Sequence, residues 1–471
     1  MSGSDVPSVL PSGPLWRDPL FLLPVFVGAV LRWFVALQRP GLLLEDADGY
    51  LAHAETLLRL GRYAGPYTGV STAFRPPGFV LLLAVPLWLG LRASTAVLVV
   101  QLILSLCCSW STAALAVLAG LPRAMVLLAV VGVSFDPLLV LYSVQPMSEV
   151  PCAAVLSMAL VCYLWSGVVD GVTDGVEKPG AGVRWNVLLT AAFAGLLFAA
   201  GGLIRPAVLL AAAMCLAAGV VSCVRAVWRG GGRGGGWLRM GLVSVAGCGF
   251  GVGLFPWVLR NAVVFGTFIP ATTHGGYTLA LGNNPDFYRD VIHQPTGNEG
   301  NGYPWRGDRL ELWQRRTLRE AELSGVRPGD EPALDRWYYA CAESSIRGDW
   351  SAFVGACVLR VTRFWAITGS GGSGSAVQWL TGLWYGFWWC GLAAGLGSRR
   401  RPSEVLMWLC VLVFCGLHVV YWTDTRMRAP VMPFLIVLSS GGLWRGYQRT
   451  RVRGRSSGSA NALSAIWSQM A

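Results

Sequence analysis

The chain alternates long apolar stretches with a few polar segments, and the apolar stretches are long enough to cross a membrane as helices. A span needs roughly 20 predominantly apolar residues. Before the longest polar segment, the candidate spans are residues 20–37, 93–119, 124–145, 150–167, 186–204, 206–224 and 241–259, with a shorter apolar piece at 79–91. After it come residues 351–367, 376–397, 405–422 and 429–444. The pattern predicts an all-α polytopic membrane protein with about 10–12 transmembrane or membrane-embedded helices.

The positions of the arginines predict the orientation of these spans, because short cytoplasmic loops are enriched in Lys and Arg. Three segments are basic and contain no acidic residue: 225–239, 398–401 and 445–455. We place these segments and both termini in the cytoplasm. The two large polar segments, 42–79 and 260–350, also carry acids and are expected to face outward.

This orientation requires an odd number of crossings before Arg260, although eight apolar pieces precede it. The piece at 79–91 contains Pro86 and is expected to be short or re-entrant, and the break at Arg205 is the second candidate. Segment 351–367 carries two arginines and is expected to lie along the membrane surface. Ten crossings, with the large outer loop after the seventh, then satisfy every basic segment.

The resulting organisation has four parts. Residues 1–259 form a transmembrane module with an outer loop at 38–78, residues 260–350 an outer region, residues 351–447 C-terminal transmembrane helices, and residues 448–471 a basic cytoplasmic tail. The N-terminal residues lack the basic start of a cleavable signal, and the first apolar run is long enough to remain as an anchor.

Composition agrees with a membrane protein and argues against a nucleic-acid partner. Hydrophobic residues make up 54% of the chain and charged residues 13%, and the mean hydropathy is +0.52. The net charge of +12 comes from basic residues in the loops that flank the spans, so topology explains it. Most cysteines stand inside apolar runs, so no disulfide framework is expected. His53 and His274 have no companion at metal-ligand spacing.

Polar residues near the ends of the spans share the predicted outer face. Such residues are costly at membrane depth and commonly mark function. They are Glu45, Asp46, Asp48, His53, Arg75, Glu149, Arg205, Trp257, Arg260, Asn261, Asp424, Arg426 and Arg428. The distribution favours an active site that opens where lipid and water meet.

Three of these residues also have a structural interpretation that the residues alone leave open. Asp48, followed by Gly49, could cap a helix. Arg205, followed by a proline, could mark a span boundary by extending its charge to the interface. Glu149 could stabilise the first turn of the helix that follows it.

The order of several short motifs resembles that of the GT-C glycosyltransferases, polytopic enzymes that take a sugar from a polyprenyl-phosphate carrier. The motifs are "EDADGYLAHAETLLRLGRY", "FRPPGFVLLL", "SVQPMSEV", "GGLIRPAVLL", "FPWVLRNAVVFGTFIPATTHGGYTLALGNNP" and "RMRAPVMPFLIVL". The chain looks most similar to the bacterial branch related to dolichyl-phosphate-mannose-protein mannosyltransferases and to aminoarabinose transferases of lipid A. The resemblance extends over residues 20–438 and implies a GT-C fold, with a seven-span core before the large outer loop.

The resemblance also implies roles for the candidate residues. Asp46 and Tyr50 hold the family's Asp-x-x-x-Tyr spacing, so the catalytic aspartate falls on Asp46, as the base that accepts the proton of the acceptor hydroxyl. Arginines suit the departing phosphate because they donate charge-assisted, often bidentate hydrogen bonds; the candidates are Arg75, Arg260, Arg426 and Arg428. The expected substrate-binding residues are Asp48, Tyr50, His53, Arg75, Glu149, Arg205, Arg260, Asn261, Arg426 and Arg428.

The sequence departs from the family where Ala47, and not a second acid, follows Asp46. Whether the protein binds a divalent metal therefore stays open, with Asp46 and Asp48 as candidate ligands. No other cofactor is expected. The implied partners are a polyprenyl-phosphate sugar donor, an acceptor that is a lipid, a glycan or a protein, and the lipid bilayer. The implied location is the inner membrane of a bacterial cell envelope.

Two other classes of membrane protein are alternative interpretations of this sequence. A transporter or flippase would also gather charges, but it commonly shows two related halves with broken helices, and no internal repeat is visible. A polysaccharide polymerase or ligase would use a lipid-linked glycan and share the large outer loop, but it lacks the early Asp-x-x-x-Tyr loop.

Overall fold

The structure is a computed structural model that describes residues 18–168, 185–228, 233–293, 305, 308–368 and 375–456. The regular structure in this part of the chain is helical. Its helices are α1 Pro19–Gln38, α2 Tyr50–Leu60, α3 Pro77–Trp88, α4 Ala93–Leu118, α5 Arg123–Ser134, α6 Pro137–Tyr142, α7 Glu149–Trp165, α8 Trp185–Ile204, α9 Ala207–Trp228, α10 Arg233–Phe265, α11 Gly275–Gly282, α12 Pro285–Phe287, α13 Asp308–Leu323, α14 Glu331–Gly348, α15 Trp350–Trp365, α16 Ser375–Ala394, α17 Pro402–Val420 and α18 Met432–Ser456. Short 3-10 segments lie at Pro40–Leu44 and Thr425–Val431, and a π-helical segment lies at Tyr288–His293.

Seven described helical stretches are long and apolar enough to span a membrane. They are α1, α4, α8, α9, residues Gly236–Phe265 of α10, α17, and Thr425–Arg451, which contains most of α18. Three shorter apolar helices, α3, α5 and α7, accompany them. The chain is therefore an all-α polytopic membrane protein, which confirms the fold class predicted from the apolar runs.

The burial of each helix follows its composition. In α7 most side chains are buried, and the helix packs against both α4 and α8. A helix that is apolar on all faces is expected in such a central position. In α1, by contrast, many large apolar side chains are exposed, among them Leu23, Phe26 and Phe34. That surface suits contact with lipid.

The predicted span at 124–145 is not one helix. It breaks between α5 and α6, where Pro137 begins the second helix and Asp136 Oδ1 accepts a hydrogen bond from Leu139 N at 3.0 Å. Proline disfavours helical geometry at the residue before it, and aspartate is a good N-cap. The continuous span was therefore the wrong prediction.

Helix α15 covers the segment that was expected to lie along the membrane surface because of its two arginines. Both arginines, Arg360 and Arg363, are buried in the protein. Arg360 Nη1 donates to Val419 O and Val420 O at 3.0 Å each, at the C-terminal end of α17. The arginines serve an internal contact, so they give no reason to place α15 on the membrane surface.

The described part of Gly275–Gly348, which the arginine distribution predicts to face outward and which is here called the outer module, has its own small core. Helix α11 packs on α14, and aromatic rings fill the space between the helices, with Phe287, Trp305, Trp313 and Tyr338 all buried. The first polar loop lies against this module through hydrogen bonds to Glu331. The two regions therefore meet at Thr72 and Ala73, close in the chain to Arg75.

Candidate active site

The first polar loop turns into α2, and Asp46 closes that turn. Asp46 Oδ2 accepts a hydrogen bond from Ala52 N at 2.9 Å. Gly49, with φ of 76°, makes the left-handed turn that glycine tolerates best. Asp46 is therefore the carboxylate that caps α2, and the interpretation of Asp48 as the cap is wrong. The second oxygen, Asp46 Oδ1, is buried and has no hydrogen-bond partner among the described residues.

Asp48 lies between two guanidinium groups from distant parts of the chain. Its Oδ1 is 3.1 Å from Arg75 Nη2, and its Oδ2 is 3.4 Å from Arg426 Nη1. Burial raises the pKa of the Asp48 carboxyl, but the positive charges of Arg426 and Arg75 outweigh burial and bring the pKa to about 2. Asp48 therefore stays ionised and holds both arginines in place.

The two carboxyl groups of the loop differ in their electrostatic surroundings. Burial raises the pKa of Asp46 above its ordinary value, against the hydrogen bonds that the carboxylate accepts from the first turn of α2. Asp46 has an oxygen without a partner, whereas both oxygens of Asp48 are paired. Of the two, Asp46 is the better proton acceptor.

A second carboxylate continues the network of ion pairs. Glu149, the first residue of α7, is fully buried, and its Oε1 is 2.7 Å from Arg205 Nη2. Arg205 Nε donates to Ser148 Oγ at 3.0 Å. Arg426 Nε approaches the same Glu149 oxygen at 3.9 Å, which joins this pair to Asp48. We call Arg75, Arg205 and Arg426, with Asp48 and Glu149, the arginine cluster.

The cluster decides between the interpretations of Arg205, whereas Glu149 both pairs with Arg205 and stands in the first turn of α7. The Arg205 side chain is only 13% exposed and pairs with Glu149, so it does not extend to solvent. Tyr50, at the start of α2, reaches the same place, since its hydroxyl donates to Ser148 Oγ at 3.3 Å. The structure thus brings together six of the predicted site residues, namely Asp48, Tyr50, Arg75, Glu149, Arg205 and Arg426.

Two arginines predicted for phosphate binding have other partners. Arg260 donates from Nη1 to Thr72 O at 2.7 Å and from Nη2 to Tyr63 O at 2.8 Å, so it braces the first loop. Arg428 is buried and donates to the carbonyls of Phe364 and Ala366 at the end of α15. Neither joins the arginine cluster in the described contacts.

Two further predicted residues also make structural contacts. Asn261 is fully buried, accepts from Arg260 Nη1 at 2.9 Å and donates to Ile269 O at 3.0 Å. The His53 ring Nδ1 lies 2.6 Å from Gly49 O, one turn back along α2. Both side chains support the loops around the cluster.

Sequence reasoning missed His274 as a neighbour of the cluster. Its Nε2 lies 3.4 Å from Arg75 Nη1 and, because arginine can only donate, Nε2 is the acceptor. Burial and the nearby Arg75 charge lower the pKa of His274 well below its ordinary value, so the ring is neutral. The polar run after the seventh predicted span contains His274, but no local pattern marks it as a neighbour of Arg75, which stands 199 positions earlier.

The donor set does not fit a metal centre. Among the described residues, no three His, Cys, Asp or Glu side chains come together in a group that could hold a metal ion. Of the two candidate ligands, Asp48 has both oxygens engaged by arginines, which leaves only Asp46 Oδ1.

Comparison with known proteins finds similarity in structure. No family model and no curated protein matches the sequence. The archaeal oligosaccharyltransferase AglB from Archaeoglobus fulgidus, in complex with an inhibitory peptide and a dolichol-phosphate, is similar with a TM-score of 0.54 and 14% identity, over 95% of this chain and 53% of that chain. The apo oligosaccharyltransferase from the same organism is similar with a TM-score of 0.52 and 13% identity, again over 95% and 53%.

This chain thus spans about half the length of the oligosaccharyltransferases it matches. At such low identity the likeness concerns the fold, and it extends over nearly the whole of this chain. The motif order had indicated the same architecture. The chain has a GT-C fold.

Proposed function

We propose that the protein is an integral membrane glycosyltransferase that transfers a sugar from a polyprenyl-phosphate donor to a lipid, glycan or protein acceptor on the outer face of the membrane. The observation that carries the proposal is that Asp46, whose Oδ1 has no hydrogen-bond partner among the described residues, lies two residues before Asp48, which holds Arg75 and Arg426 of the arginine cluster. Glycosyl transfer to a hydroxyl needs both a proton acceptor and a group that stabilises the departing phosphate.

Asp46 supplies the base in this proposal. The acceptor hydroxyl oxygen attacks the anomeric carbon, the bond from that carbon to the phosphate oxygen breaks, and the hydroxyl proton passes to Asp46 Oδ1. The neighbouring Asp48 is unsuited to this step, since a carboxylate with a pKa of about 2 is a weak base. Asp46, whose pKa burial raises, is the stronger base.

The arginine cluster accepts the polyprenyl phosphate as it departs with its negative charge. A guanidinium has five N–H donors in a fixed plane, and the carboxylates of the cluster occupy only some of them. Arg426 Nε, for example, has no hydrogen-bond partner among the described residues, since the Glu149 and Asp424 carboxylates beside it are 3.9 Å and 3.8 Å away. Asp48 and Glu149 keep the three guanidinium groups oriented before the donor binds, which lowers the cost of reorganisation during the reaction.

The similar archaeal structure supports the choice of donor. It holds a dolichol-phosphate, a lipid of the polyprenyl-phosphate class, in a fold that this chain shares over 95% of its length. We further propose the inner membrane of a bacterial envelope as the location, with both termini in the cytoplasm, because this orientation places the three basic segments on the side where short loops are enriched in Lys and Arg.

A donor panel tests this function. Purified protein in detergent or liposomes is incubated with several polyprenyl-phosphate sugars, and release of the free polyprenyl phosphate is followed with and without candidate acceptors. We expect acceptor-stimulated release with at least one sugar, and loss of release in the double variant Arg75→Ala, Arg426→Ala. Movement of an intact lipid-linked sugar across the liposome membrane, without release of phosphate, would instead identify a flippase and refute the proposal.

A further inference from the structure

The segment Thr72–Arg75 carries Arg75 into the cluster, and hydrogen bonds hold its backbone on several sides. Tyr63 bonds both ends: its carbonyl accepts from the first amide of the segment at 3.3 Å, and its hydroxyl donates to the last carbonyl at 3.0 Å. Arg260 donates to the first carbonyl at 2.7 Å. The amide of Thr273 and the hydroxyl of Thr272 donate to the two carbonyls in between. Partners from separate parts of the chain thus converge on four residues.

Glu331, the first residue of α14, provides a further set of bonds and comes from the outer module. Its Oε1 accepts from the Thr72 hydroxyl, and its Oε2 accepts from Ala73 N at 2.8 Å. Oε2 also accepts from the Thr273 hydroxyl at 3.0 Å, so one carboxylate ties the segment to the loop before α11. Both oxygens are therefore used, and all three donors lie within three residues of Arg75 or His274.

The bonding of Glu331 differs from that of Glu343 on the same helix. Glu343 lies further along the same helix in an exposed pair with Arg347, four residues away. Such a pair contributes little to stability and touches no part of the first loop. Glu331 instead accepts from a backbone amide of the segment, and hydrogen bonds to an ionised group are about twice as strong as neutral ones.

We propose that Glu331 is a positioning residue for the transfer reaction: it holds the Thr72–Arg75 segment against the outer module and thereby sets the place of Arg75 in the arginine cluster. This inference rests on the proposed function. It makes the outer module part of the catalytic apparatus without contact between Glu331 and substrate. A change in the outer module, such as one caused by a bound acceptor, would reach Arg75 through this carboxylate.

The first test measures the segment itself and needs no activity. Hydrogen–deuterium exchange of the full-length protein is compared for the parent, Glu331→Ala and the matched control Glu343→Ala. Loss of a hydrogen bond to a charged group is expected to accelerate exchange at Ala73 and its neighbours by about ten-fold or more, with no change in the control. If Glu331→Ala fails to fold, Glu331→Gln keeps the side-chain size and one acceptor oxygen and serves in its place. Unchanged exchange in a folded variant would overturn the inference.

The second test is a double-mutant cycle on sugar transfer. Glu331→Ala alone should lower kcat/KM for the donor about ten-fold, whereas in an Arg75→Ala background it should have almost no further effect, because residues that act through one another are not additive. Additive losses would assign Glu331 a merely structural role and overturn the inference while the proposed function stands. Absence of transfer by the parent protein would overturn the proposed function and this positioning role together.

Discussion

Replacing Asp46 by asparagine removes the proposed proton acceptor and keeps the shape of the side chain. The asparagine carbonyl can accept the hydrogen bond that Ala52 N now donates to Asp46 Oδ2 at 2.9 Å. Asparagine and aspartate are about equally good caps, so the free energy of unfolding should change by less than ~1 kcal/mol. The oxygen that has no partner becomes an amide nitrogen, which cannot take up the proton.

The expected loss of transfer is large in comparison. A positioned general base contributes about 100-fold to 10,000-fold to the rate, which corresponds to roughly 3–5 kcal/mol of activation free energy. A pH profile adds an independent check. Burial raises the pKa of Asp46, so the rate of transfer by the parent should be maximal above that raised pKa and should fall as the pH is lowered through it. This fall should occur at a higher pH than for an ordinary aspartate. The residual activity of Asp46→Asn should lack this step.

The assay follows release of polyprenyl phosphate and formation of product at matched amounts of folded protein, with thermal melting measured in parallel. Asp46→Ala is the companion variant, because it removes the cap together with the base and should melt at a lower temperature than Asp46→Asn. Full turnover by Asp46→Asn would refute the assignment of the base. So would a loss of activity that only follows the loss of folded protein.

Three further outcomes are expected. Asp48→Asn should lower the melting temperature by several degrees at neutral pH, because lowering the carboxyl pKa from 3.8 to about 2 corresponds to roughly 2 kcal/mol of stabilisation. This stabilisation is present above pH 4 and is lost as the pH falls through about 2. An unchanged melting temperature would contradict the ion pairs of Asp48. Arg260→Lys should lower thermal stability, since lysine cannot bond both carbonyls that arginine reaches. It should also raise the donor KM much less than Arg426→Lys does. Equal increases in the donor KM would instead assign Arg260 to phosphate binding. In a background without the native cysteines, a cysteine at Ser324 should react with a membrane-impermeant reagent from outside and one at Arg399 should not, and the reverse pattern would exclude the predicted orientation.

Local sequence patterns were sufficient to predict the helical class and the membrane location. The length of an apolar run and the thickness of a bilayer decide whether a helix can span, and neither depends on distant residues. The order of motifs indicated the GT-C fold, which the structural likeness confirms. The one broken span also had a local signal, since Asp136 and Pro137 stand at the break.

Local sequence patterns gave the wrong prediction for the cap of α2, where two aspartates stand close together in the chain. Asp46 and Asp48 are both able to cap α2, and the short-range rule chose Asp48, whereas the turn at Gly49 directs Asp46 to the helix. Asp48 is free to pair with Arg426, which stands 378 positions further along the chain. The choice of Asp46 as the base, made from its spacing to Tyr50, stays a prediction for the variants to test.

Only the tertiary structure shows which arginines pair with carboxylates and which bond backbone carbonyls. Arg205, Arg260 and Arg428 all lie near predicted outer ends of helices and carry the same guanidinium group. Only Arg205 meets a buried carboxylate, that of Glu149, whereas the other two meet backbone carbonyls. The sequence by itself determined that the chain has several apolar runs long enough to span a membrane and which polar residues are candidates, because those properties belong to short stretches. Which arginines pair with acids depends on contacts between helices far apart in the chain, and only the packing of those helices decides them.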